Sequence, residues 1–191
     1  MKKILIGTHN QGKFKEIAHL ISRKTKKISP IVLKISSPKE TGKTFNANSK
    51  LKANYFAKFV NFPVISDDSG LCIKSLNYKP GIYSARLAKK HGSFTKAMRV
   101  LLKKMKNKKD RSAYFICSLT FTNTKKKSVT VTGKINGTIS KKIIGKNGFG
   151  YDPIFIPKLY KKTFGQIPQS KKMLIDHRYL AFKKLKKKIK I

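Results

Sequence analysis

The chain has 191 residues, with 46 Lys and Arg against 7 Asp and Glu and a formal net charge of +39. That length suits one large domain or two tightly joined lobes, and 39% hydrophobic residues with 12 Phe and 7 Tyr argue for a globular core despite the charge. No stretch approaches the roughly 20 apolar residues of a membrane span. The apolar run after the opening Met-Lys-Lys is only about four residues, where a secretory signal needs at least about 7; a soluble, cytoplasmic protein is expected. Dense Lys attracts phosphate of any sequence. Yet only Arg23, Arg86, Arg99, Arg111 and Arg178 could serve as base-reading arginines. Lys runs at 103–109, 125–127 and 183–190 are spread along the length, as an AT-rich coding sequence would also produce, so a dedicated nucleic-acid surface is not expected. Cys72 and Cys117 form no ligand motif with the four His and read as buried reduced thiols.

In chain order, Ile4-Leu5-Ile6 reads as a short buried strand. Gly7-Thr8-His9-Asn10-Gln11-Gly12-Lys13 follows, then a helix with Phe14, Ile17, Ala18 and Ile21 at helical spacing. Strand, loop and helix place backbone N–H groups and Lys13 at a helix N-terminus, where an anion binds readily. Gly7, Gly12 and Lys13 satisfy the glycines and lysine of a P-loop, but Phe14 stands where the magnesium-holding hydroxyl belongs. Residues 31–35 (Ile-Val-Leu-Lys-Ile) predict a second strand. Glu40 lies in the next loop, and a helix runs through Leu51, Ala53, Phe56, Ala57 and Val60, with Lys50 and Lys52 in it.

Phe62-Pro63-Val64-Ile65 predicts a buried strand, Ser69-Gly70 a turn, and Leu71-Cys72-Ile73 the strand after it. Asp67 and Asp68 would then sit at a strand end, where α/β proteins hold ligands. Adjacent carboxylates repel unless a cation or a hydrogen-bond cage balances them, and here they are two of only seven acids. Pro80-Gly81 predicts a turn. Gly92-Ser93 caps a helix whose Phe94, Ala97, Met98, Leu101, Leu102 and Met105 form a core stripe. Residues 112–122 and 128–133 alternate around Asn123–Lys127 as a hairpin. Glycines 145, 148 and 150 interleaved with Phe149 and Tyr151 fit either close approach to a flat base or a tight hydrophobic bend. A basic helix is predicted from Ser170 to Ile189, with Asp176-His177-Arg178 in its first turns; a lone His beside Arg is more often a surface residue.

Taken together and in order, Thr8–Lys13 with Glu16, Glu40–Phe45, Ser66–Leu71, Pro80–Arg86, Gly148–Pro153 and His177-Arg178 with Ala181 resemble the inosine/xanthosine triphosphate pyrophosphatase family across nearly the whole chain. The resemblance implies an α/β fold with an elongated mixed sheet flanked by helices, in two lobes with a central cleft and usually as a homodimer. It implies Mg²⁺-dependent hydrolysis of ITP, dITP and XTP to the monophosphate and pyrophosphate. Carried over by position, Thr8, His9, Asn10, Gln11, Gly12 and Lys13 would bind the triphosphate, with Lys52. Glu40 and Asp68 would hold magnesium, and Asp68 would act as general base. Ser69, Phe149, Gly150, Tyr151, Asp152, Lys172, His177 and Arg178 would line the base and phosphate site. This chain departs from the family pattern at Ala47, where a Glu is usual, and at Asp176, where a Ser is usual. Two rival readings are a P-loop NTPase or kinase, and a basic nucleic-acid-binding protein with a degenerate enzyme core.

Overall fold

The structure is a computed structural model that describes residues 2–189. Six strands, β1 (Lys3–Ile6), β2 (Lys26–Ile28), β3 (Val64–Ile73), β4 (Ser112–Thr122), β5 (Ser128–Ile139) and β6 (Phe155–Pro157), form one mixed sheet in the order β2-β1-β3-β4-β5-β6. β1 pairs in parallel with β2 and β3, whereas β5 and β6 are antiparallel. Six helices accompany it: α1 (Gln11–Leu20), α2 (Phe45–Ala57), α3 (Ser84–Lys90), α4 (Phe94–Lys104), α5 (Gln169–Lys172) and α6 (His177–Lys188). The mixed α/β class is as expected. The chain divides into two compact units. The first holds residues 1–68, 117–133 and 178–191; the second holds 69–116 and 134–177.

In the first unit, strand alternation sorts two cores. Ile4, Ile6 and Ile65 meet Ile17 and Ile21 of α1 and Ala181, Phe182 and Leu185 of α6. Leu5 and Val64 point the other way, onto Phe56 and Ala57 of α2. β4 and β5 continue the α2 side with hydroxyls rather than hydrocarbon. Ser118 pairs with Thr132, Thr120 with Thr130 and Thr122 with Ser128, while Ser49 of α2 bonds Thr120 at 2.8 Å. A polar helix face can be buried here because its partners are already in place.

In the second unit one large cluster packs Leu71 and Ile73 with Ala97, Met98, Leu101 and Met105 of α4 and with Phe115, Phe155 and Phe164. Ser93 caps α4 by accepting the Lys96 N–H, so the predicted helix and its core stripe stand. Cys72 and Cys117 are both buried and unbridged.

Several elements differ from expectation. The second strand is Lys26–Ile28, and residues 31–34 form a turn in which Ile31 and Val32 are 54% and 75% exposed. Pro30 offers no N–H to a ladder, and the turn closes on itself through Lys34 N–H to Ile31 and Ile35 N–H to Pro30. Ser69-Gly70 is no turn: β3 runs unbroken through both Asp, which therefore sit mid-strand. Gly70 is needed there because a Cβ would collide with the Gly81 carbonyl and the Ser84 hydroxyl. β5 extends six residues past the predicted hairpin arm, to Ile139. The C-terminal helix is broken, with α5 ending at Lys172 and α6 starting at His177.

Candidate active site

In the first unit, the loop after β1 ends in a capped helix. Asn10 accepts the Lys13 N–H at 3.0 Å, and Thr8 Oγ1 accepts the Asn10 N–H at 3.2 Å. His9 lies against Phe56 and bonds the Ile35 carbonyl at 3.0 Å. Gln11 and Gly12 open α1. Gly7 admits close approach of the loop to β3, since a Cβ would strike Ser66 and Phe56.

Strand alternation also separates the two Asp. Asp67 shares the side of Ile65 and receives Lys13 Nζ at 3.3 Å and Arg178 Nε at 3.5 Å. Asp68 shares the side of Val64 and accepts from Asn48 Nδ2 at 3.1 Å. Lys52 Nζ donates to Glu40 Oε1 at 2.6 Å, and Arg178 Nη1 donates to Glu16 Oε2 at 2.8 Å. Four carboxylates therefore surround three cations. Burial pushes the Asp68 carboxyl above the usual range; Lys13 and Lys52 pull it back, and Glu40 pushes it up further. Burial alone would lower the Lys52 ammonium, but Asp67, Asp68 and Glu40 together raise it. The Lys52 shift reports the carboxylates around it, whereas the Asp68 shift reports mainly its burial.

Among the described residues, no group of three or more His, Cys, Asp and Glu is placed to hold a metal unaided. Mg²⁺ asks for less. It takes one or two carboxylates and completes its shell with water and substrate phosphate. Glu40 and Asp68, the first close enough to raise the proton affinity of the second, fit that requirement.

In the second unit the Gly-rich loop folds around its own acid. Asp152 Oδ2 accepts the Phe149 N–H at 2.9 Å and Lys172 Nζ at 2.8 Å. Gly148, at φ 73°, leaves room for that carboxylate, and Gly145, at φ 90°, lies against the Gly165 backbone. These two glycines thus serve the loop's own closure. Gly150, at φ 66°, has only the Phe94 ring at van der Waals distance. Lys172 is 1% exposed, 3.7 Å from Asp176 Oδ2, and lies over the Phe149 and Phe164 rings at 5.1 and 5.5 Å. His177 is buried and stacks on Phe115 at 4.9 Å and 13°. The expectation of a surface His beside Arg178 is corrected, since both are 3% exposed. Tyr151 is a core residue whose hydroxyl donates to Ser84 O at 2.8 Å and whose ring meets Phe94 edge-on. Ser69, half-buried, follows Asp68 along β3.

Of the expected residues, the first unit gathers Thr8–Lys13, Glu40, Lys52, Asp68 and Arg178. The second gathers Ser69, Phe149–Asp152, Lys172 and His177. Sequence reasoning missed Asn48, which accepts the Gly42 N–H at 2.8 Å while donating to Asp68. A signal existed: Asn48, Ser49 and Lys52 recur at helical spacing with Ala53 and Phe56, a buried face that is half polar.

An anion-ready helix start beside buried carboxylates, on a mixed α/β sheet, is an arrangement suited to a phosphate-bearing ligand. The sequence model of the Ham1 family matches residues 4–188, and the chain belongs to that family. It is 41% identical to a dITP/XTP pyrophosphatase of Dictyoglomus thermophilum over 96% of this chain and 92% of that one. It is 42% identical to a dITP/XTP pyrophosphatase of Oceanobacillus iheyensis over 98% of each. Among solved structures, the Staphylococcus aureus Ham1 protein superposes with a TM-score of 0.87 at 36% identity, covering 99% of this chain and 98% of that one.

Proposed function

We propose that this chain hydrolyses ITP, dITP and XTP to the monophosphate and pyrophosphate, removing them from the nucleotide pool, as a Mg²⁺-dependent cytoplasmic homodimer. The observation that carries the reading is Asp68: a buried carboxyl raised above its usual range, oriented by Asn48 and facing Lys52, in a Ham1-family chain. A carboxylate so perturbed is suited to take a proton. The relatives' names, dITP/XTP pyrophosphatase, supply the substrate class.

In this mechanism the loop Thr8–Lys13 and Lys52 hold the triphosphate, with the start of α1 directing N–H groups at an anion. Asp68 takes a proton from water as the water oxygen bonds to the α-phosphorus. The bridging bond to the β-phosphate breaks, and pyrophosphate leaves with its electron pair. Magnesium, when bound by Glu40 and Asp68, would neutralise triphosphate charge that otherwise repels the nucleophile. Phe149 offers a face for the base, with Lys172 and His177 as donors to the 6-oxo group that hypoxanthine and xanthine carry and adenine lacks. The P-loop alternative gains nothing, because Phe14 packs in the α1 core and adds no hydroxyl.

The test is pyrophosphate release from ITP, dITP, XTP, ATP and GTP with Mg²⁺, in wild type and Asp68→Asn. The expected outcome is fast release from the first three and a loss of about 10²–10⁴-fold in the variant. Release of single phosphate, or an undiminished variant, would overturn it.

A further inference from the structure

The first unit presents apolar side chains to water in one place. Ile31, Val32 and Leu33 are exposed in the turn that stands where a second strand was expected, and Phe59, just past the end of α2, is 54% exposed. Leu33, Ile35, Phe59, Val60 and Phe62 line one surface cavity of about 660 Å³, with Lys58 at its wall. Phe62 also lines an adjoining cavity of about 830 Å³, whose walls include Pro63, Phe121, Lys2, Lys3 and Lys24. Neither cavity has an acidic residue in its lining. Apolar side chains exposed singly are ordinary, whereas a contiguous set with a charged rim marks a contact surface.

The turn is built to leave water. Pro30 has no N–H, Ile31 N–H donates to Ser29 Oγ at 3.2 Å, Lys34 N–H to the Ile31 carbonyl at 3.1 Å, and Ile35 N–H to the Pro30 carbonyl at 3.0 Å. At those four positions the backbone donors ask nothing of the solvent, which lowers the cost of entering a layer of low polarity. The tip is aliphatic, so it has no ring face to stack on a base and no donor to read one; nucleic acid would hold the lysines and leave Ile31 and Val32 in water. A second copy would bring the same lysines on a chain of net charge +39. A surface that is both apolar inside and anionic outside satisfies tip and rim together. We infer that this face docks the chain on an anionic lipid bilayer, with Ile31, Val32, Leu33 and Phe59 entering the headgroup boundary and Lys24, Lys34 and Lys58 meeting lipid phosphates. Such docking rests on the surface and crosses nothing, and it does not depend on the reaction proposed above.

The experiment sediments the full chain with vesicles of phosphatidylcholine alone and of phosphatidylcholine mixed with phosphatidylglycerol, comparing wild type with Val32→Ser. That exchange removes apolar surface and leaves the net charge unchanged, so an attraction owed to lysine alone does not register it. The expected result is pelleting with anionic vesicles, little with neutral ones, and a loss of about tenfold in partition coefficient for the variant. Equal partition of wild type and variant, no binding to anionic vesicles, or equal binding to both kinds of vesicle overturns the inference. If Val32→Ser shifts the melting temperature, Phe59→Ser carries the same comparison from the far wall of the cavity. The chain contains no Trp, so Val32→Trp places a single fluorophore at the tip. Its emission should move to the blue on anionic vesicles and be quenched by brominated acyl chains. Unshifted emission overturns insertion even where the protein pellets. A shift produced by a single-stranded oligonucleotide and not by vesicles assigns the face to nucleic acid, and a shift produced by protein concentration alone assigns it to a second copy; either result overturns the inference.

Discussion

At the scale of single residues, Asp68 is made basic by burial, which outweighs the pull of Lys13, Lys52 and Asn48 toward the ionised form. Its burial disfavours the ionised form, while Asn48 holds one oxygen in place and Lys52 faces it. Asn48→Ala should therefore lower kcat about tenfold with little change in KM, the usual cost of removing a group that orients a reacting one. Steady-state kinetics on ITP checks it; a KM effect alone would place Asn48 in binding. Lys52 is the shared cation of Glu40, Asp67 and Asp68. Lys52→Met removes the cation bonded to Glu40 and facing Asp67 and Asp68, and should destabilise by about 3 kcal/mol, the low end for a broken buried pair because Glu40 keeps some solvent contact. Millimolar Mg²⁺ should return part of that loss in a denaturant titration. Tyr114 gives a separate, alkaline prediction. Burial, then its bond to the Cys72 thiol, pushes the phenol up to about 12. Below its ordinary value of 10.0 the ring is neutral in both states and its contribution is complete. As pH rises from there the unfolded chain ionises first, so stability falls through the interval up to about 12. Tyr114→Phe should shallow that fall in unfolding midpoints measured across the interval.

At the scale of elements, Gly70 decides whether β3 can run straight through the acidic pair. A Cβ at that position would meet the Gly81 carbonyl and the Ser84 hydroxyl, the group that also accepts the Leu71 N–H at 3.0 Å. Gly70→Ala should cost about 1–3 kcal/mol, as overpacking does; an unchanged denaturant midpoint would show that the Gly81 turn yields freely. The same residue shows where reading the sequence stopped. Ser-Gly carries turn chemistry, and only the approach of a chain segment more than ten residues away explains why it is extended. Residues 31–35 erred the other way, since an apolar β-branched run satisfies local strand preference but Pro30 and a self-closing turn take its hydrogen bonds. Helices with one apolar stripe, α1 and α4, were legible because a single period carried the signal. α2 was legible as a helix but not as to its buried face, because its partners are the Ser and Thr hydroxyls of β4 and β5. Of the candidate site, the motif residues could be named in advance. Their pairings could not, because alternation along β3 sends Asp67 to Lys13 and Arg178 and Asp68 to Asn48.

At the scale of the molecule, charge is distributed in an unusual way. Of the seven acids, Glu16, Glu40, Asp67 and Asp68 lie in the first unit's cluster and Asp152 and Asp176 in the second's. Only Asp110 remains, exposed beside Lys74 at 3.6 Å. The outer surface therefore carries lysine with almost nothing to neutralise it, and a net charge of +39 should act on folding and on substrate capture in opposite senses. Like charges repel one another in the compact state, so salt should stabilise the fold. A triphosphate is drawn toward the same surface, so salt should slow its capture. Raising NaCl from about 0.01 to about 1 M shortens the screening length from about 30 to about 3 Å. Across that range the melting temperature should rise while kcat/KM for ITP falls by about tenfold or more, with kcat nearly constant because the chemical step lies among buried groups that salt reaches poorly. Paired melting and kinetic titrations on one preparation check it. Parallel rises would mean that the lysines do not steer substrate. Falling stability would mean that surface ion pairs, few as the acids allow, outweigh the repulsion.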